Sequence, residues 1–191
     1  MAEKIIHTAR VYDGHLIQLD VHKVVLPNGK YSQREIVQHP GAVAIVALDS
    51  DRNLLLVRQF RLAANKIMLE IPAGTLAPGE SPEECARREL QEEIGYKPND
   101  LQNLGGIYTA PGYTTEFIHL FLATDLVAAA LESDADEFIE MTRMPLDEAL
   151  LLIDQGEITD SKTVAGVLRV SRRLEEKIKK PPRRKKKIPS G

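Results

Sequence analysis

Glu89, Glu92 and Glu93 are the residues of this sequence whose types and spacing most clearly suggest chemistry. They stand at i, i+3 and i+4 of a segment whose flanks predict a helix. At about 100° per residue the three share one helix face, within an arc of roughly 100°. Like charges at that spacing repel one another by a few tenths of a kcal/mol. Such a face is either a solvated surface, balanced by Arg87 and Arg88, or the binding site of a cation. The triad alone favours the solvated surface. As a cation site, its hard carboxylate oxygens suit Mg²⁺ or Mn²⁺, which keep coordination positions free for phosphate oxygens.

The elements that must position these carboxylates are legible around them. Ser81-Pro82-Glu83-Glu84 forms a capping box, with Ser at the N-cap, Pro at the first helical position and Glu three residues after the cap. This predicts a helix from Pro82 to about Ile94, stopped by Gly95. Ala86, Leu90 and Ile94 recur every four residues as its buried stripe. Before it, Ala9–Tyr12, His15–Leu26 and Tyr31–Val37 read as strands, with a turn at Pro27-Asn28-Gly29. Ala42–Leu48 has the pattern of a fully buried strand, and Asn53–Phe60 follows the turn at Asp49-Ser50-Asp51. After it come strands at Gly105–Thr109, Phe117–Ala123 and Phe138–Met144, then helices at Leu146–Gln155 and from Ser161 to about Ile178. Strands before, between and after isolated helices predict an α/β sandwich around mixed sheets, with an antiparallel β hairpin region at the N-terminus.

Composition narrows the class. The 191 residues are 43% hydrophobic and 28% charged, enough for one ordinary domain with a real core. Cys85 is the single cysteine, so there is no intrachain disulfide and no cysteine-built zinc site. The strongly apolar run Ala42–Leu48 is far short of the roughly 18–20 residues that span a bilayer. The N-terminus lacks the pattern of a secretory signal, and a cytoplasmic location without membrane attachment is expected. The net charge of −3 is unevenly spread: Lys177, Lys179, Lys180, Arg183, Arg184, Lys185, Lys186 and Lys187 leave residues 1–176 at −11. An acidic body with a short basic tail argues against nucleic acid as the partner and suits the concentration of divalent cations.

Reading outward from the triad gives Gly74, five residues, Glu80, seven residues, then Arg88-Glu89-Leu90-Gln91-Glu92-Glu93-Ile94-Gly95-Tyr96. This resembles the Nudix box, the signature of Nudix hydrolases, with Tyr96 where the pattern prefers an aliphatic residue. The resemblance extends from about Arg34 to Leu168. It implies a Nudix-type α/β/α sandwich, of the α/β or α+β class, with a mixed sheet. The implied chemistry is hydrolysis of a nucleoside diphosphate linked to another group. In that likeness Glu89 and Glu93 hold Mg²⁺ or Mn²⁺ with the carbonyl of Ala73, and Glu92 stands beside them with Glu93 in the catalytic set. Arg88 and Glu80 look structural, an ion pair that holds the loop against the helix.

The flanks resemble the ADP-ribose pyrophosphatase branch. The runs are Val57-Arg58-Gln59-Phe60-Arg61, Leu69-Glu70-Ile71-Pro72-Ala73-Gly74, and Pro111 fifteen residues after Tyr96. The likeness implies hydrolysis of ADP-ribose to AMP and ribose 5-phosphate, with Arg34, Arg61 and Pro111 as substrate-binding residues. Other sugar nucleotides such as ADP-glucose or GDP-mannose, and a non-catalytic ADP-ribose sensor, are the alternatives. It also implies a general base in the loop Glu132–Glu137, where Glu137 aligns best, ahead of Asp136 and Asp134. Residues 1–40 are expected to form a homodimer through their strands, 41–176 the hydrolase domain, and 177–191 a basic tail. Tyr113 is a candidate to stack on adenine, whereas Phe60 is expected in the core. The five histidines show no metal-ligand spacing.

Overall fold

The structure, a computed structural model, describes residues 2–131 and 138–179. Two sheets organise it. The first is antiparallel, in the order β1-β2-β3, from β1 (Lys4–Asp13), β2 (Gln18–Val25) and β3 (Tyr31–Gln38). The second is mixed and seven-stranded. Its centre is β4 (Ala42–Leu48), antiparallel to β5 (Asn53–Arg61) on one side and parallel to β9 (Phe117–Ala128) on the other. β10 (Glu140–Pro145) and β8 (Tyr96–Tyr108) form its outer edges, β6 (Lys66–Glu70) pairs with β5, and β7 (Ala73–Thr75) pairs with β4.

Every residue of β4 is buried, because helices cover both faces of the sheet. Strand alternation divides its side chains between two cores. Ala42, Ala44, Val46 and Leu48 pack with Leu146 and Ala149 of α2 (Leu146–Asp154) and with Val167 and Val170 of α3 (Ser161–Lys179). Val43, Ile45 and Ala47 pack with Cys85, Ala86 and Leu90 of α1 (Pro82–Glu93). The result is the three-layered sandwich expected from the sequence. Among the described residues, no helix is long and apolar enough to cross a membrane.

α1 starts and stops as its local signals dictate. Ser81 accepts from the Glu84 amide, the Glu84 side chain returns to the Ser81 backbone, and Gly95 takes φ +75° just past the helix. Cys85 belongs to packing, not chemistry: it is fully buried, and burial beside Glu89 and Glu80 pushes its thiol pKa up to about 12.

β6 and β7 have no counterpart among the strands expected from the sequence, and β8 begins well before the strand expected at Gly105–Thr109. β8 starts at Tyr96 and tolerates Pro98 because it lies on a sheet edge, where a missing N–H costs no ladder bond. Phe60 is 53% exposed, not in the core. β4 covers β5 only at Leu54 and Leu55, and beyond Val57 the strand pairs with β6 outside the helical layers.

Candidate active site

β7 brings Ala73 and Gly74 beside the start of β4, opposite Ala44 and Val43. α1 lays its carboxylates on this short strand. The Ala73 amide donates to Glu93 Oε2 at 3.1 Å. The Glu89 carboxylate lies so close over Gly74 that a Cβ there would fall 1.8 Å from Oε1. Glu89 is itself buried. Three of the sequence-predicted residues, Ala73, Glu89 and Glu93, therefore meet at one place, with Glu92 one helical step away.

Arg88 organises the rest. Its Nε and Nη2 donate to Glu80 Oε1 and Oε2 at 2.9 and 3.1 Å. Its Nη1 stands 2.7 Å from both Glu89 Oε1 and Glu92 Oε2. The predicted ion pair thus exists, and it does more than pin the loop: the same guanidinium brackets two site carboxylates. Glu80 also accepts from the Ala77 amide. The Arg88 guanidinium, with smaller help from that amide, holds the Glu80 pKa down to about 2 from 4.5. A depressed folded-state pKa supplies stability that is fully present above the unfolded value of about 4.5 and is lost as pH falls through about 2. Glu80→Gln is therefore expected to flatten the loss of urea stability across that window. An unchanged pH slope in the variant would contradict the assignment.

The donor set fits a hard divalent cation: anionic carboxylate oxygens and a backbone carbonyl, on a helix face whose carboxylates are held by Arg88 and the Ala73 amide. Among the described residues no three His, Cys, Asp or Glu side chains are grouped so as to hold a metal ion by themselves, and Arg88 bonds both Glu89 and Glu92. Glu89, Glu93 and the Ala73 carbonyl would hold such an ion, with Glu92 adjacent.

A cleft of about 1500 Å³ opens over this place. Ala73, Gly74 and Glu89 line it, and so does Arg61 on the last residue of β5. Arg61 Nε and Nη2 donate to Glu70 Oε1 and Oε2 at 2.8 and 2.7 Å. Burial pushes the Glu70 carboxyl up, but Arg61 and Lys162 outweigh it and hold the group below the ordinary carboxylate range. Within one chain, Arg34 and Pro111 stand apart from this cleft. Arg34 on β3 pairs with Glu3 at 2.5 Å. Pro111 sits in an exposed turn that is tied to β3 through Val37, by bonds to the Tyr113 carbonyl and from the Thr115 amide. Glu137, Asp136 and Asp134 lie outside the described residues.

Sequence reasoning gave no role to several cleft residues. Glu70 is 1% exposed, and a glutamate inside the apolar run Leu69–Ile71 was the available signal. Lys162 reaches it from the start of α3, 92 residues away, and Asp160 pairs with that ammonium, which no local pattern reveals. His39 accepts from the Gly41 amide at Nδ1 and turns Nε2 to within 3.8 Å of Glu116, whose other oxygen accepts from Thr109.

The fold has counterparts among known proteins. The family model for the NUDIX domain matches residues 38–166. The chain belongs to the Nudix family, and it is an enzyme of that family, a Nudix hydrolase. It is 43% identical over 169 residues to an ADP-ribose pyrophosphatase of Bacillus subtilis (strain 168), covering 87% of this chain and 91% of that protein. It is 44% identical over 169 residues to a methanol dehydrogenase activator of Bacillus methanolicus, covering 86% and 90%. A crystal structure of an ADP compounds hydrolase superposes with a TM-score of 0.83 at 27% identity, over 93% of this chain and 96% of the other.

Proposed function

We propose that this protein is an ADP-ribose pyrophosphatase that hydrolyses the diphosphate of ADP-ribose to AMP and ribose 5-phosphate, with Mg²⁺ or Mn²⁺ as cofactor. The observation that carries the reading is the junction of Ala73, Glu89 and Glu93, in which Ala73 and Glu89 line a cleft that Arg61 also lines. A bound divalent ion would neutralise phosphate charge and acidify the attacking water. Arg61 meets the diphosphate, because guanidinium nitrogens match phosphate oxygens. Water adds to one phosphorus, the P–O–P bond breaks, and the water's proton passes to Glu137. Glu137→Gln should cut turnover sharply with little change in melting temperature, and near-normal turnover would overturn that role.

Residues 1–40 form a homodimer in this proposal, 41–176 the catalytic domain, and 177–191 a basic tail. All ten residues of β1 are exposed, among them the large apolar side chains of Ile5, Ile6, Val11 and Tyr12, which a second copy would cover. The partner's β3 and the loop at Pro111 would then bring Arg34 and Pro111 to the shared cleft. Sedimentation at micromolar concentration should give the dimer mass; a monomer would refute this arrangement. The lone buried cysteine and a small nucleotide-derived substrate fit a cytoplasmic enzyme.

The test of specificity is kcat/KM for ADP-ribose, ADP-glucose and GDP-mannose with Mg²⁺. ADP-ribose should rank first. Another compound in first place would transfer the assignment to that sugar nucleotide, and tight binding of ADP-ribose without cleavage would make the protein a sensor.

A further inference from the structure

The cleft wall that carries Arg61 continues into a buried ionic chain that the hydrolytic reading does not use. Glu70 Oε2, already bonded to Arg61, also accepts from Lys162 Nζ. That ammonium stands 3.1 Å from Asp160 Oδ1. Asp160 Oδ2 accepts from the Thr163 amide at 2.9 Å and from its hydroxyl at 2.6 Å. Thr163 Oγ1 in turn accepts from the Ile71 amide at 2.9 Å. The chain therefore runs from a guanidinium on β5 through the start of α3 and back to the backbone two residues before Ala73.

Burying charges in this way is costly unless each is paired, and a neutral apolar wall would serve the fold as well. Its arrangement makes sense if it controls Arg61. Nε and Nη2 of that guanidinium are spent on Glu70, so its plane is fixed and Nη1 is the nitrogen left for a ligand in the cleft. Without the ammonium, Glu70 Oε2 loses the second donor that fixes it, and the guanidinium it grips loses its aim.

We propose that Lys162 is a positioning residue for substrate binding: by holding Glu70, it aims Arg61 at the diphosphate. The inference rests on the reading of Arg61 as a substrate ligand. A residue acting in this way changes substrate affinity and loses its effect once Arg61 is gone, whereas a residue that only stabilises the fold does neither.

The experiment is a double-mutant cycle with Lys162→Met and Arg61→Ala, run on whichever nucleoside diphosphate sugar the wild type cleaves fastest. Lys162→Met should raise KM about tenfold with kcat within about threefold. Lys162→Arg, which keeps the charge, should return KM to within about threefold of wild type. The double variant should match Arg61→Ala alone. Should methionine prevent folding, Lys162→Gln keeps a donor against Glu70, and the same coupling is read at smaller amplitude. A raised KM in Arg61→Ala with multiplicative effects in the double variant would overturn the role of Lys162 alone. A wild-type KM in Arg61→Ala would overturn the reading of Arg61, and the proposal with it.

Discussion

Glu93→Gln is expected to lower kcat by about three orders of magnitude while the protein stays folded. Glu93 Oε2 accepts the Ala73 amide at 3.1 Å, so this one carboxylate touches the segment whose carbonyl completes the donor set. Glutamine keeps the size of the side chain and can still accept that amide through its carbonyl. It removes the negative charge, which is what a divalent ion and the phosphate charge it offsets require. The melting temperature should therefore move little, and circular dichroism melts beside steady-state kinetics will separate the two effects. A variant with kcat within about threefold of wild type would remove Glu93 from the catalytic set.

Gly74→Ala should be nearly as damaging, for a steric reason. The added Cβ would meet Glu89 Oε1 at 1.8 Å and Cδ at 1.9 Å, distances that no pair of atoms tolerates. Neither neighbour can yield freely. Gly74 is paired with Val43 of the buried central strand, and Glu89 is buried and bonded to Arg88. The carboxylate must swing away from its place over Gly74, which dismantles the site, or β7 must leave β4. We expect kcat to fall at least about a hundredfold and stability by roughly 1–3 kcal/mol, as for other overpacked positions. Urea midpoints and kcat measured on the same preparation test both figures. Wild-type activity in this variant would mean that Glu89 does not need its place over Gly74.

The parts legible in the sequence were those in which local residues decide the outcome. Ser81 and Glu84 cap α1 through bonds three residues apart, Gly95 ends it, and Ala86 and Leu90 face the core as their spacing requires. The all-buried β4 announced itself as an unbroken apolar run. What escaped depends on distant partners. β7 is only three residues long and exists because β4 offers it an edge near Ala42–Ala44. β8 carries Pro98 and Asp100, which read as a loop until its position at the sheet edge is known. Phe60 follows a core-like alternation but extends beyond the helices that would cover it. The candidate site divides in the same way. The carboxylates of α1 and their Arg88 clamp are written within a few turns of one helix and its preceding loop. The pairing of Glu70 with Lys162 spans 92 residues and becomes visible only when β6 and α3 are adjacent.

In the proposed function, carboxylates on α1, with a divalent ion, hydrolyse the diphosphate of ADP-ribose. The test is incubation of the 191-residue protein with ADP-ribose and Mg²⁺, with and without excess EDTA, followed by chromatography of the products. Stoichiometric AMP and ribose 5-phosphate are expected, abolished by EDTA and restored by added Mg²⁺. Intact ADP-ribose in the presence of Mg²⁺, or equal cleavage with the chelator present, would contradict that function.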